Sequence, residues 1–441
     1  MNDVNPAAGP AVPVSRVPRV RRMSGRDPGD AHRPSTPLEL LFDLAFVVAF
    51  GVAGEQAAHL VAEGHVAAGL TGFGFAMFAI CWAWINFSWF ASAFDTDDWV
   101  YRLTTMVQMV GVVVLALGLP EMFRSIDQGQ RVDNEVMVAG YVVMRLAMLV
   151  QWLRASRQAP RCRAICLTYV RALVVSQVGW VVLAVAPVSV GTFFAVGGVL
   201  ILVETAGPWV AERLPAGPDG RRGTPWHPHH IAERYGLLAI ITLGEGVIGT
   251  VASLSAVVET QGWSVDAALV ALAGTGLTFG LWWTYFITPA GDLLARHPER
   301  SFGWGYGHLV VFAALAGVGA GLHVVAYDLE GHSALGPVGA LLAVAVPVLV
   351  FLVADYLMFW TLARTVDPLH LALLAGGVAT VVLAVVVVAV GAPTSVGLLV
   401  VMLAPAVTVV GYETRGHQHV AALVEGAGPG QEQGQGSGGG R

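Results

Sequence analysis

One carboxyl group stands in the middle of a long apolar stretch. The run HIAERYGLLAIITLGEGVI, residues 230–248, begins with Glu233 and Arg234 and later places Glu245 between two glycines. At ~1.5 Å per residue, Glu245 lies roughly 20 Å along a helix that starts near Ile231, close to the hydrocarbon centre of a bilayer. An acid at that depth is costly without a partner, water or a proton. The sequence therefore predicts a functional role for Glu245, with hydrogen bonding between helices as the structural alternative.

Arginine also occurs deep within an apolar segment. Arg145 lies near the middle of the segment 134–155, too far from either end to reach water easily. It therefore requires an acid, and four intramembrane carboxylates are candidates: Asp43, Glu204, Glu245 and Asp355. The predicted buried polar set is completed by Arg171, Glu204, His308, His323 and Asp355, two of which are candidate partners of Arg145. A polar pathway or a ligand cavity would explain so many.

An acid pair opens the first apolar segment. Glu39 and Asp43 are four residues apart and share one helical face just after Pro37, a residue typical of a first helical turn. Acids are favourable beside the positive end of a helix dipole, which gives a structural explanation. Asp43 already lies inside the apolar run and is expected to face other helices, so a functional explanation stands equally.

The second apolar segment ends in aromatic and acidic residues. Trp89 and its neighbours fit an interfacial belt, whereas Asn86 is a polar site candidate. Asp95, Asp97 and Asp98 follow, and their oxygens suit Mg²⁺ or Ca²⁺. Ion pairing with arginine-rich connections is the interpretation that we favour over a metal site.

Composition indicates the class of protein. The chain has 441 residues, of which 55% are hydrophobic and only 12% charged, with a mean hydropathy of +0.66. Soluble domains carry about 25% charged residues. We therefore expect an all-α polytopic integral membrane protein with a lipid bilayer as its surroundings. Twelve apolar segments can be drawn: 37–58, 66–93, 101–121, 134–155, 163–187, 190–212, 231–257, 264–288, 302–327, 334–361, 368–391 and 393–412. The short turns near Pro187 and Pro393 leave ten or eleven as alternatives.

Arginine distribution orients these segments. The chain contains no lysine, and its arginines concentrate in the N-terminal stretch and in the even-numbered connections. The odd-numbered connections carry only Arg124 and Arg131. By the positive-inside rule both termini are cytoplasmic.

Weak similarity between segments at offsets of roughly 194–210 residues suggests two six-helix halves in parallel repeat, related by an axis along the membrane normal. The predicted organisation is a disordered basic cytoplasmic tail (1–36), the first half (37–212), a cytoplasmic linker (213–230), the second half (231–412) and a disordered cytoplasmic tail (413–441).

The sequence contains no recognisable motif for disulfide bonding, metal binding, common catalytic reactions or nucleic-acid binding. Cys81, Cys162 and Cys166 are read as buried apolar residues, not as a disulfide framework. The histidines at 227, 229 and 230 are interrupted by proline and read as a polar loop. There is no phosphate loop, nucleophile elbow, zinc-protease motif or nucleic-acid module, so no nucleic-acid partner is expected and no cofactor is named.

Three blocks in order resemble the bacterial low-temperature-requirement protein A family. They are FDLAFVVAF, the W..NF..W stretch continuing into FDTDDWVYRL, and HIAERYGLLAIITLGEGVIG. The resemblance covers about 37–415 and implies a multi-pass protein of the bacterial cytoplasmic (inner) membrane, linked by name to growth in the cold, with no settled substrate or catalytic residues. It marks these motif positions: Glu39, Asp43, Asn86, Asp95, Asp97, Asp98, Arg102, His230, Glu233, Arg234, Gly244 and Glu245. Tyr235 departs from the pattern, since a histidine is often found there.

We therefore expect a secondary-transporter-like protein for an unidentified small molecule or ion, with proton coupling through Glu245 and with Arg145 in the same polar core. One alternative is a membrane sensor or organising protein that transports nothing. The other is a membrane-embedded enzyme acting on a lipid, with a divalent ion at the Asp95–Asp98 acids. Catalysis is the less favoured class.

Overall fold

The computed structural model describes residues 20–27, 30, 33–129, 131–217 and 221–425, and within this part the fold is helical. The helices are α1 (Pro37–Ala62), α2 (Val66–Phe94), α3 (Trp99–Gln128), α4 (Glu135–Gln158), α5 (Arg163–Val185), α6 (Val190–Ala211), α7 (Pro228–Gln261), α8 (Val265–Phe286), α9 (Ala290–Arg296), α10 (Ser301–Leu329), α11 (Gly336–Ala363), α12 (Pro368–Ala389), α13 (Thr394–Gly411) and α14 (His417–Glu425). Short 3₁₀ turns precede α5 and α10, and a π-helical turn, Tyr412–Gly416, joins α13 to α14.

The prediction of twelve spans is confirmed. In the described part of the chain, twelve helical stretches are long and apolar enough to cross a membrane. The two uncertain breaks are present, because α5 ends at Val185 and α12 ends at Ala389, each a few residues before the next span begins. The short helix α9 was not predicted. It lies in the connection between α8 and α10, where Pro289 and Pro298 interrupt the apolar pattern.

Side-chain contacts define two faces of the bundle. We call the face that holds the start of α1 the arginine-rich face; there Arg154 at the end of α4 pairs with Asp98 before α3, and His229 lies 3.0 Å from Asp292. On the opposite face His65 and Asp127 are 2.9 Å apart. Successive spans alternate between these faces, as a multi-pass chain requires.

The centre of the bundle is α10, which is buried along most of its length. It packs between α7 and α11 and also contacts α1 and α2. Glycine permits this close approach: a β-carbon added to Gly249 of α7 would lie 2.6 Å from the carbonyl oxygen of Gly319 on α10. Small residues at helix crossings are a general means of association in membranes. The two predicted halves therefore meet along α1, α2, α7 and α10.

The expected N-terminal tail is partly docked. Residues 1–19 lie outside the described part, but Met23 is completely buried and its amide donates to Gln158 at 2.8 Å. The Arg33 guanidinium donates to the carbonyls of Ala91 and Ser92, 2.6 Å from the first, and so satisfies the last turn of α2. The expectation of a disordered stretch over 1–36 is therefore wrong for these docked residues, because α2 leaves carbonyls that an arginine can bind.

Part of the expected C-terminal tail is helical. The helix of α13 passes through the π-helical turn into α14, so residues 413–425 are helical rather than disordered. His419 of α14 contacts the Asp367 carboxylate at the start of α12, which gives this helix an anchor. Residues 426–441 lie outside the described part.

Candidate functional site

A buried ionic cluster joins the two predicted halves near the arginine-rich face. Thr36 caps α1, and the capping box turns the Glu39 side chain back to accept the Thr36 amide at 2.8 Å. The other Glu39 oxygen lies 3.0 Å from Arg234 Nη1 and 3.1 Å from His230 Nε2 of α7. Glu39 thus completes a helix cap and an ion pair at once.

Asp43 lies one turn further along α1 and binds the same arginine. Its Oδ1 is 2.5 Å from Arg234 Nη2 and accepts the Trp84 indole N–H from α2 at 2.7 Å. The charged side chains of this cluster have no solvent exposure. We name Glu39, Asp43, Trp84, His230 and Arg234 the Arg234 cluster. The two acids of α1 bind the guanidinium of α7 and the Trp84 indole of α2, so the cluster joins these three helices.

Glu245 lies deeper in the bundle, eleven residues beyond Arg234 on α7, or about 16 Å along the axis. Its carboxyl group faces α1, where a β-carbon added to Gly51 would lie 3.5 Å from Oε1. Its backbone is pressed against α10, since a β-carbon on Gly319 would lie 2.6 Å from the Glu245 carbonyl carbon. Glu245 is 6% exposed, and within the described residues it makes no hydrogen bond or ion pair. It is thus an unpaired acid at the junction of three helices.

Arg145 is paired with Glu204, which is one of its four candidate partners. Arg145 Nη2 lies 2.8 Å from Glu204 Oε1, with both side chains almost fully buried. Tyr141 donates to the same carboxylate at 2.7 Å and Trp180 donates to its other oxygen at 3.1 Å. This site joins α4, α5 and α6. The hypothesis that Arg145 and Glu245 share one polar core is therefore wrong, because Glu204 satisfies Arg145 within the first half.

Asp355 and His308 belong to another site, a cavity of about 170 Å³ within the second half. His308 is fully buried, and its Nε2 lies 3.0 Å from the Tyr285 hydroxyl. Asp355 lines the same cavity, is 9% exposed, and has no hydrogen bond or ion pair with any described residue. It is a second unpaired acid.

The remaining polar candidates have more ordinary surroundings. Asn86 donates to the Trp82 carbonyl of its own helix at 2.8 Å and lines a small cavity of about 30 Å³. Glu233 is exposed and accepts the Ser35 amide at 3.1 Å. Arg171 was expected in the buried set but is exposed. The prediction that Arg171 is buried is wrong, because one face of the apolar helix α5 points away from the other helices and Arg171 lies on that face.

The acidic run before α3 is engaged by arginines. Asp97 forms a two-bond pair with Arg102, with both distances 2.8 Å. Asp98 caps α3 by accepting the Tyr101 amide at 2.9 Å and pairs with Arg154. In the described part of the chain, no group of three or more His, Cys, Asp or Glu side chains is arranged to hold a metal ion. This geometry corresponds to the ion-pair interpretation.

These acids differ in protonation. Burial raises the pKa of Asp95 to about 6, with the Glu39 charge adding to the effect. Burial acts in the same direction on Asp98, but the hydrogen bonds from Arg154 and the Tyr101 amide outweigh it and bring the pKa to about 2. The hydrogen bond from Arg102 lowers the pKa of Asp97. Asp95 is therefore the member of the run that changes charge nearest neutral pH.

Sequence reasoning missed the neutral partners of these sites. Tyr141 and Trp180 satisfy Glu204, and Tyr285, Trp304 and Phe359 form the walls around Asp355. The available signal was helical spacing: Tyr141 precedes Arg145 by one turn, and Trp304 precedes His308 by one turn.

In the described part of the chain, the fold and these sites are those of a polytopic membrane protein, with twelve candidate spans, buried ion pairs between helices and two buried acids without a partner. The chain belongs to the bacterial low temperature requirement A protein (LtrA) family, whose model matches residues 34–405. An uncharacterized protein from Rhizobium meliloti (strain 1021) is 26% identical over 297 residues, which are 65% of this chain and 68% of the relative. The resemblance seen in the three sequence blocks is thus confirmed.

Proposed function

We propose that this protein is a secondary transporter whose transport cycle is coupled to protons through Glu245. The observation that supports the proposal is a contrast among buried charges. Arg145, Arg234, Glu39, Asp43 and Glu204 all have ionic partners. Glu245 and Asp355 have none among the described residues. A bundle that needed only cohesion would gain nothing from unpaired acids, which are costly in hydrocarbon.

The position of Glu245 favours a moving part. It lies where α1 of the first half meets α7 and α10 of the second, so relative motion of the halves changes its surroundings. An isolated carboxylate there is stabilised by a proton or by a cation beside it. Alternating between the two would couple proton movement to substrate movement, as in transporters whose sites lie near the midplane between repeats.

The helix packing supports the repeat within this proposal. In each predicted half the first helix packs on the second and third, the third on the fourth, and the fifth on the sixth, counting α10 as the third helix of the second half. The second helices differ: α2 packs against α10 and α7, whereas α8 packs against α13. We infer a parallel repeat with diverged second helices, in the inner membrane with the arginine-rich face towards the cytoplasm.

Proton flux in liposomes tests the proposal. Protein is reconstituted with a pH-sensitive dye inside, an inward proton gradient is imposed, and fractions of a bacterial small-molecule extract are added outside or inside. At least one fraction should accelerate proton entry. Glu245→Gln keeps the size and hydrogen bonding of the side chain but cannot exchange a proton, so it should fold normally and abolish this acceleration.

The matched control is Glu63→Gln, since Glu63 is an exposed acid at the other end of α1 and should leave the flux unchanged. If no fraction moves protons through folded wild-type protein, the transport proposal is wrong. If Glu245→Gln keeps the full flux over about pH 5.5–8, Glu245 is a structural residue and the coupling is elsewhere.

A further inference from the structure

The cavity beside Asp355 has an unusual wall. It lies between the ends of α8 and α11 and the beginnings of α7 and α10, near the arginine-rich face. Half of its lining residues carry rings and one acid supplies its charge: Tyr285, Phe286, Trp304, His308, Asp355 and Phe359. Trp304 and Phe359 are buried, so their rings are fixed by packing.

His308 does not neutralise Asp355. Its Nδ1 lies 2.8 Å from the Trp304 carbonyl oxygen, which can only accept, so Nδ1 carries the hydrogen. Its Nε2 then accepts the Tyr285 hydroxyl at 3.0 Å. Both nitrogens are satisfied in a neutral imidazole. The cavity therefore holds one acid and no built-in cation.

The arginines of the surrounding elements are either bound to other groups or exposed. Arg234 of α7 binds Glu39 and Asp43 in the Arg234 cluster. Arg300 before α10 donates to the Leu362 carbonyl. Arg296 and Arg364 are exposed. None of these arginines supplies a positive charge to Asp355, so its carboxylate is balanced by a proton or by a cationic ligand.

We propose that this cavity binds a small organic ammonium ion. The Asp355 carboxylate balances the charge, and cations are attracted to aromatic faces within about 6 Å of the ring centre. A volume of about 170 Å³ is close to cavities of ~150 Å³ that accept benzene, which sets the ligand at roughly five to eight heavy atoms. An inorganic cation would require several oxygen ligands, whereas the side chains that line this cavity offer the Asp355 carboxylate and only the hydroxyls of Tyr285 and Thr288 beside it. The proposal extends the proposed function by naming a substrate class, but binding itself does not depend on transport.

Calorimetry on the purified full chain in nanodiscs tests this directly. The probes are choline and its uncharged analogue 3,3-dimethylbutan-1-ol, which has nearly the same shape. Choline should bind saturably, and the neutral analogue at least ~10-fold more weakly, because it forms neither the cation–π contact nor the ion pair. Asp355→Asn, which keeps the side-chain size, should weaken choline at least ~10-fold, and Phe359→Leu should weaken it ~3-fold or more. Asp328→Asn, near the far end of α10, is the matched control and should leave the affinity unchanged.

Four results would overturn the inference: no choline binding by folded protein, equal binding of the neutral analogue, full affinity in Asp355→Asn, or complete displacement of choline by an equal concentration of sodium. The inference and the proposed function fail separately. Choline binding without proton-coupled flux refutes transport alone, whereas flux driven by another solute without choline binding refutes the cavity assignment alone.

Discussion

Breaking the Arg145–Glu204 pair from each side tests how the first half is held together. The two charged atoms are 2.8 Å apart, with side chains 2% and 3% exposed. Removing one partner of a buried pair typically costs about 3–5 kcal/mol, because the other charge is left buried. Arg145→Leu and Glu204→Leu should both fall in this range, but not at the same point within it.

The surroundings predict which substitution is worse. In Arg145→Leu, Glu204 keeps the hydrogen bonds from Tyr141 and Trp180, and a carboxylate can also accept a proton; we expect about 3 kcal/mol. In Glu204→Leu, Arg145 keeps only Tyr141, and a guanidinium cannot lose its proton in a protein; we expect about 5 kcal/mol. The double variant leaves no charge, so its loss should be at least about 3 kcal/mol smaller than the sum of the two.

The assay is reversible unfolding in detergent, followed by tryptophan fluorescence, for the wild type, both single variants, the double variant and Arg157→Leu. Arg157 is exposed on the same helix and should cost little. Additive losses in the double variant, or equal losses for Arg145→Leu and Arg157→Leu, would refute the reasoning, because either result means that Arg145 is already solvated.

Three further predictions concern the arginine-rich face. The pKa of Asp95 is raised to about 6 in the folded protein, so the free energy of unfolding falls as the pH rises from the pKa of the unfolded chain through about 6. Asp95→Asn should therefore stabilise the protein at pH 8, by at most about 3 kcal/mol, and hardly at all near pH 4. Melting curves at both pH values test this. Arg33→Ala should lower the melting temperature clearly more than Arg22→Ala, since Arg33 is buried on the carbonyls of α2 and Arg22 is exposed with one carbonyl contact; equal effects would mean that the docked segment contributes nothing. Topology reporters placed after Gly223 and at Arg441 should indicate cytoplasm and one near Gly262 the outside, and a periplasmic signal at Gly223 would contradict the proposed orientation.

Hydropathy was enough to locate the spans because each is a long apolar run, and turn residues such as Pro393 marked even a short connection. It was not enough to orient the helices. Apolar helices carry little polar contrast around their circumference, so the sequence did not show that Arg171 faces outward while Arg145 faces inward. Lipid and neighbouring helices are equally apolar surroundings, and only tertiary packing separates them.

The sequence also did not identify the partner of each buried charge. Burial alone showed that Arg145 needs an acid, yet selecting Glu204 requires knowing that α4, α5 and α6 are neighbours. Docking of Met23 and Arg33 was likewise hidden, because their binding sites are backbone carbonyls and a glutamine on distant helices. Glu245 was located correctly along its helix, but its lack of a partner emerged only from the packing of α1 and α10 around it.

The Arg234 cluster also constrains the order in which the helices assemble during synthesis. Asp43 and Arg234 are 191 positions apart in the chain, so at roughly 5–20 residues per second a ribosome needs about 10–40 s between them. During that time α1 has left the ribosome with two acids and no guanidinium to bind. Helix α1 must therefore wait at the insertion machinery, or enter the lipid with its acids neutralised, until α7 emerges. Helices α1 and α2 cannot complete these contacts ahead of α7, and a nascent chain stalled before Arg234 should be a substrate for membrane quality control.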